Sequence, residues 1–186
     1  MNYIEEIENL LYLNKKLGFI DYGDGAMLIG HVPHVAPAAY LHRIYSPLNN
    51  NDITLLENLL QRNLPNQFKS FLLKHNGISF FLDSLYLYGL EKNSDGRLSK
   101  PIFHPFSILI PNTIERPKDA EDSFLFIGGY GDDGSKLYID DKTGKVFHCE
   151  RYYSKKILKV WPNIEIMLLD ETKRISKKFD ENGKEV

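Results

Sequence analysis

The sequence has a single cysteine, Cys149, among 186 residues. One thiol excludes an internal disulfide and any zinc site built from several cysteines, and it fits a reducing compartment. Long hydrophobic runs are also missing, since stretches such as 78–82 and 124–127 fall far short of the roughly 20 apolar residues that cross a bilayer. The N-terminal segment carries Glu5 and Glu6, where a secretory signal is basic and then apolar. We therefore expect a cytoplasmic protein without a membrane span.

The sequence lacks an excess of charge of either sign. The formal net charge is −2, from 23 basic and 25 acidic residues. A dedicated nucleic-acid-binding domain has a strongly basic face, so direct binding to DNA or RNA is not expected. The hydrophobic fraction of 42% allows a chain of this length to bury one sizeable core. Together these properties predict a single domain over 1–186.

Apolar periodicity predicts four helices and a run of short strands. The helical patterns cover 2–17, 53–60, 65–75 and 162–175, and Thr54 and Glu57 have the spacing of a capping box. Between the first two helices, 19–22 and 26–30 flank the turn 23–25 as a predicted hairpin, and 28–51 is predicted as an apolar loop interrupted by prolines. The predicted strands are 78–82, 85–90, 106–110, 123–127, 136–139 and 146–150. Because the strands follow one another between helices, the pattern predicts an α+β fold with a mainly antiparallel sheet.

Two blocks of residues resemble one known family. The first is a helix, then Leu64-Pro65, then a helix ending at Asn76-Gly77. The second is a strand with two glycines at 124–129, a strand at 137–140 and the turn Gly144-Lys145-Val146. In this order they resemble the SUKH superfamily, which includes fungal cell-wall synthesis regulators and many bacterial immunity proteins. The resemblance covers residues 52–170 and leaves 1–51 as an N-terminal extension.

The resemblance implies a SUKH-like α+β fold whose sheet packs with N-terminal helices and a C-terminal helix. It also implies a protein partner, which in bacteria is usually a toxin domain and often a nuclease that the immunity protein neutralises. An intracellular regulatory or scaffold protein is the alternative. A third hypothesis, an uncharacterised enzyme or metalloprotein, rests only on His31, His34 and His42.

The residue patterns predict no catalytic centre, metal site or cofactor. The glycines of 129–134 satisfy G-x-G-x-x-G, but a strand follows them where dinucleotide binding needs a helix. Pro33 prevents the helical register that would bring His31 and His34 onto one face as zinc ligands. His148 and Cys149 are adjacent in a strand and therefore point to opposite faces.

A partner-binding surface is predicted where acidic turns adjoin tyrosines. Carboxylates could steer a basic partner, and exposed tyrosines are typical anchors of protein interfaces. The alternative is a set of solvated turns with ordinary core aromatics. The candidate residues are Tyr130, Asp132, Asp133, Asp140, Tyr152 and Tyr153.

Overall fold

A computed structural model describes residues 3–91 and 104–186. Within these ranges the chain forms one nine-stranded sheet, in which the strands lie side by side in the order in which they occur along the chain. Each neighbouring pair is antiparallel. The strands are β1 (Phe19–Asp21), β2 (Met27–His31), β3 (Tyr40–Ile44), β4 (Ile78–Phe80), β5 (Leu85–Leu87), β6 (Phe124–Gly129), β7 (Lys136–Asp140), β8 (Val146–Cys149) and β9 (Ile157–Trp161).

Helices occupy the start, the middle and the end of the chain. They are α1 (Tyr3–Tyr12), which continues as a 3₁₀ turn (Leu13–Leu17), α2 (Asn50–Leu60), α3 (Asn66–Leu72), α4 (Leu109–Asn112) and α5 (Ile164–Ser176). This arrangement confirms the predicted α+β class and the antiparallel sheet. No helix in the described part of the chain is long and apolar enough to cross a bilayer.

Side-chain hydrogen bonds fix the start of α2 and its junction with α3. The side chain of Asn49 accepts a hydrogen bond from the backbone N–H of Asp52 at 3.0 Å, and the Asp52 carboxylate accepts one from the N–H of Asn49 at 2.9 Å. This reciprocal pair is the capping box, so the predicted box at Thr54 and Glu57 is wrong. Glu57 instead accepts a hydrogen bond from the N–H of Leu64 at 2.8 Å and thereby anchors the junction.

The Asn76-Gly77 step connects α3 to the sheet through buried contacts. The Asn76 side chain donates to the carbonyl of Leu90 at 2.8 Å and accepts from its N–H at 2.7 Å. Gly77 has a φ of +85°, and a Cβ at this position would lie 2.8 Å from the carbonyl oxygen of Leu87. A buried amide followed by a residue without a side chain is therefore a structural requirement here.

The strands predicted from the sequence differ from those of the structure in three places. Tyr40–Ile44 forms β3 inside the segment predicted as a loop, and Ile157–Trp161 forms β9 at the edge of the sheet. Residues 106–110 were predicted as a strand, but they make a single bridge to Gly89 and then enter α4. The helical pattern over 53–60 also places Leu59 on the apolar face of α2, but this side chain is 47% exposed.

The two faces of the sheet are covered differently at β6, β7 and β8. Alternate residues of these strands join two clusters, as the two-residue period of a strand requires. The main cluster contains residues of α1, α2, α3 and α5, and we call its side of the sheet the helix face. The opposite side, which we call the open face, carries a smaller cluster formed by Phe124, Phe126, Tyr138 and Cys149. Within the described residues, this cluster packs against Ala120, and the guanidinium of Arg116 lies 5.6 Å from the centre of the Phe126 ring.

Candidate functional site

Two of the predicted partner-binding residues are buried. Tyr130 is 5% exposed and Asp140 is 7% exposed. The carboxylate of Asp140 accepts hydrogen bonds from the N–H of Lys142 at 3.1 Å and from the hydroxyl of Thr143 at 2.9 Å, so it shapes the β7–β8 turn. The Tyr130 ring lies 4.5 Å from the ring of His148, and burial raises the pKa of its hydroxyl. Both side chains are therefore too buried to contact a partner.

The two carboxylates of the β6–β7 turn already have partners within the chain. Asp133 accepts a hydrogen bond from the N–H of Ser135 at 2.8 Å. Asp132 forms an ion pair with Lys178 at 3.4 Å, and the side chains of both residues remain partly exposed. The ion pair offsets the charge of Asp132, whereas Asp133 keeps its charge, so the turn has less unpaired negative charge for steering a basic partner than the sequence pattern indicated.

Tyr152 and Tyr153 are exposed, by 67% and 54% of their surfaces. They lie in the loop between β8 and β9. The guanidinium of Arg151 lies 5.2 Å from the centre of the Tyr152 ring, and the ammonium of Lys156 lies 4.9 Å from that of Tyr153. Such cation–π contacts hold the rings in place while leaving them accessible. These two tyrosines are the aromatic residues of the predicted surface that are accessible to another molecule.

The loop that carries the tyrosines is anchored by Asp119. One carboxylate oxygen of Asp119 accepts hydrogen bonds from the N–H and the hydroxyl of Ser154, both at 2.9 Å, and the other accepts from the N–H of Lys155 at 3.0 Å. Burial alone would raise the pKa of Asp119, but these hydrogen bonds outweigh it and lower the pKa. The loop thus has a fixed base beneath its exposed rings.

A groove of about 520 Å³ opens on the open face beside these tyrosines. Its walls are residues 114–119 and 151–153, and Lys136 of β7 contributes to its lining; we call it the tyrosine groove. Its ionisable residues are Arg116, Lys118, Lys136 and Arg151 against Glu115 and Asp119, which makes four cations and two carboxylates. The charge beside Tyr152 and Tyr153 is therefore opposite in sign to the acidic rim that the sequence predicted.

Lys136 is an unusual side chain because it is charged and only 8% exposed. Its removal from water lowers the pKa of its ammonium group, an effect that the nearby Glu115 partly offsets. Among the described residues, no carboxylate forms an ion pair with Lys136, Arg151 or Lys118. The groove therefore contains positive charge that the described part of the chain does not neutralise by contact.

Glu171 of α5 is a buried carboxylate that sequence reasoning missed. It is 1% exposed and lies 3.0 Å from the ammonium of Lys159 and 2.7 Å from the guanidinium of Arg174. Burial alone would raise its pKa, but hydrogen bonds from these two cations hold the pKa below its usual range. Because Lys159 belongs to β9, the contact ties the edge strand to α5. Nothing in the local sequence distinguishes Glu171 from an exposed helix residue.

The three histidines considered as metal ligands have separate surroundings. His42 is fully buried, with Nε2 2.9 Å from the side-chain nitrogen of Asn14 and Nδ1 accepting a hydrogen bond from the N–H of Phe81. His31 contacts a backbone carbonyl at 2.9 Å, and His34 is exposed. Within residues 3–91 and 104–186, no three His, Cys, Asp or Glu side chains are arranged to hold a metal ion.

The Cys149 thiol is the one that could act as a nucleophile beside a histidine, and its neighbour in the chain, His148, is half-buried. Cys149 is fully buried, and burial raises the pKa of its thiol to about 12. His148 contacts the hydroxyl of Ser135 at 2.7 Å, a pair that sequence reasoning did not single out. Ser135 is 3% exposed, so its hydroxyl has little access to solvent. The expectation that the chain has no catalytic centre remains a prediction.

Comparison with known protein families identifies the class to which this chain belongs. Residues 47–170, about two thirds of the chain, match the SMI1 / KNR4 family (SUKH-1). The chain therefore belongs to this family, which covers immunity proteins and SMI1/KNR4-like regulators, and the resemblance inferred from the sequence is confirmed. The tyrosine groove lies entirely within the matched residues. No curated protein matches the chain.

Proposed function

We propose that this chain is an immunity protein that binds and neutralises a toxin domain in the bacterial cytoplasm, acting by binding and not by catalysis. Its membership of a family that covers immunity proteins supports the proposal. The observation that carries it is the exposed pair Tyr152 and Tyr153. Tyrosine is enriched among the residues that dominate the binding energy of protein interfaces.

The surroundings of the pair favour recognition of a macromolecule. The tyrosines project from an anchored loop, so ordering them on binding costs little conformational entropy. The neighbouring edge strand adds apolar surface, since Ile157, Leu158 and Val160 are 40%, 53% and 44% exposed. An exposed apolar area beside aromatic anchors and basic residues has the composition of a protein-binding surface.

The test is protection of a bacterial cell. The chain is co-expressed with each toxin whose gene neighbours its own, and growth and co-purification are measured. If the proposal holds, wild type protects, and the double variant Tyr152→Ala/Tyr153→Ala loses about 2 kcal/mol or more of binding free energy together with protection. The control is Leu13→Ala/Leu55→Ala, which removes side chains that are 68% and 50% exposed elsewhere.

Two results would contradict the proposal. Equal protection by both double variants would show that the tyrosines are not the binding surface. Absence of protection and of a stable complex with every neighbouring toxin would exclude the immunity function and favour the regulatory alternative. In that case the partners recovered from the native host would define the role.

A further inference from the structure

We infer that the tyrosine groove binds an acidic segment of the partner protein, whose carboxylates contact the basic lining while its apolar side chains pack on Tyr152 and Tyr153. This inference rests on the proposed protein-binding function and specifies the chemistry of the partner. It reverses the charge that the sequence pattern had indicated for that partner.

The first argument is the charge balance of the lining. Four cations face two carboxylates, and one of these carboxylates, Asp119, has both oxygens occupied by hydrogen bonds from the β8–β9 loop. These neutral donors hold Asp119 in place and leave its charge, so the four cations and two carboxylates give the lining a formal net charge of +2. Positive potential in a concave site is focused by its low-dielectric walls, so the groove attracts negative charge.

The second argument is the state of the individual cations. Arg116 donates to the carbonyl oxygens of Phe124 at 3.0 Å and Glu121 at 2.6 Å, which fixes its position without neutralising its charge. Lys136 is almost buried, and among the described residues it has no carboxylate at ion-pair distance. A partner carboxylate would supply the counter-charge that this ammonium group lacks.

The third argument separates a protein segment from a nucleic acid. A nucleic-acid site needs a basic face that tracks several phosphates, whereas the whole chain has a formal net charge of −2. The groove of about 520 Å³ accommodates a few side chains, not a helical backbone. Paired tyrosines beside an arginine are also typical of protein interfaces. An acidic peptide is therefore the occupant that the groove fits.

The test uses the full chain and a terminally blocked hexaglutamate peptide as the probe. Isotope-labelled protein is titrated at low salt, and amide chemical shifts are followed by NMR. Shifts are expected at 114–119, Lys136 and 151–153, with none of comparable size from hexalysine. Binding should weaken as salt rises, because an ionic strength of 0.1 M screens charges beyond about 10 Å.

Charge-reversal variants locate the effect. Lys118→Glu/Arg151→Glu should weaken hexaglutamate binding about tenfold, since both side chains line the groove. Lys145→Glu/Lys177→Glu makes the same change in net charge at exposed positions outside the lining, and should weaken binding no more than about twofold. Circular dichroism and melting curves check that both variants fold.

Three results would overturn the inference. The first is no shift at the groove, and the second is equal weakening by the two double variants, which would reveal a response to net charge alone. The third is tighter binding of hexathymidylate than of hexaglutamate at the same residues, which would indicate a nucleic-acid site.

The failure of this inference can be distinguished from failure of the proposed function. If the chain protects against a toxin and Lys118→Glu/Arg151→Glu protects equally, the immunity function stands and the acidic-segment inference is wrong. If hexaglutamate binds in the groove but no toxin is neutralised, the acidic specificity stands and the immunity function is wrong.

Discussion

The helix face and the open face are built from alternating residues of the same strands, but they have different contents. On the helix face, Leu125 and Ile127 join a core completed by four helices. On the open face, Phe124 and Phe126 belong to a small cluster, and the neighbouring surface holds a charged groove. The residues on one side of each strand thus stabilise the fold through the main core, whereas those on the other side support a surface that is open to a partner.

The comparison of the two faces shows that the burial of a polar side chain does not by itself tell whether the residue belongs to the core or to a binding site. His42, beside the Phe80 and Phe81 rings, and Lys136, in the tyrosine groove, are both buried polar residues. His42 has hydrogen-bonding partners and a pKa lowered by burial to about 3, so it is neutral at pH 7. Lys136 borders an open groove. Its depressed pKa reflects partial removal from water, yet a carboxylate from outside could still reach the groove.

The largest effect is expected at Phe68 on the helix face. Its side chain is fully buried and stacks on Phe71 with ring centres 5.9 Å apart. Phe68→Ala should lower the free energy of unfolding by about 3–5 kcal/mol, because it removes apolar contacts and leaves a cavity. Urea denaturation measures the change. Phe106→Ala is the control, since this ring is 47% exposed, and a loss as large as that of Phe68→Ala would show that burial on the helix face is not decisive.

Much of this helix face could be predicted from the sequence because its signals are local. Ile164, Met167 and Ile175 recur at helical spacing, and the structure buries all three in α5. β3 was missed because the prolines around it resemble a loop, and its strand character comes from pairing with β2 and β4. β9 was missed because an exposed edge strand has no clear alternation between buried and exposed residues.

The tyrosine groove could be predicted only in part. Tyr152 and Tyr153 were singled out as aromatic anchors; both side chains are exposed, and their function as anchors is still a prediction. The basic lining comes from 114–119, Lys136 and Arg151, which are distant in sequence and meet only through the sheet topology. No spacing rule links these segments, so the sign of the local charge could not be obtained from the sequence pattern.

The second prediction concerns pH and the neutral state of His42. In the unfolded chain a histidine has a pKa near 6.5, whereas in the fold the pKa of His42 is lowered to about 3. Above pH 6.5, His42 is neutral in both the folded and the unfolded chain, so its protonation does not change the free energy of unfolding. As pH falls below 6.5 the unfolded state takes up a proton first, so stability decreases until about pH 3.

Between pH 7 and pH 5, His42 should therefore remove about 2 kcal/mol from the free energy of unfolding. His75 and His148 also have a pKa lowered by burial and add to the slope in the same direction. Denaturant unfolding at the two pH values measures the total. His42→Gln should flatten the dependence, whereas the exposed His34→Gln should leave it unchanged. The same slope in both variants would show that His42 can accept a proton in the fold.

The smallest expected effect has the opposite sign and is located at Lys136. An ammonium group that is 8% exposed and has no described carboxylate at ion-pair distance costs free energy to bury. Methionine retains the unbranched stem and removes the charge, so Lys136→Met should raise the free energy of unfolding by about 1 kcal/mol. The same change should weaken hexaglutamate binding, because it removes one of the groove's cations.

Lys145→Met, at an exposed position, should alter neither property. A Lys136→Met protein that is less stable than wild type, or that binds hexaglutamate equally well, would show that this lysine supports the fold and does not serve the groove.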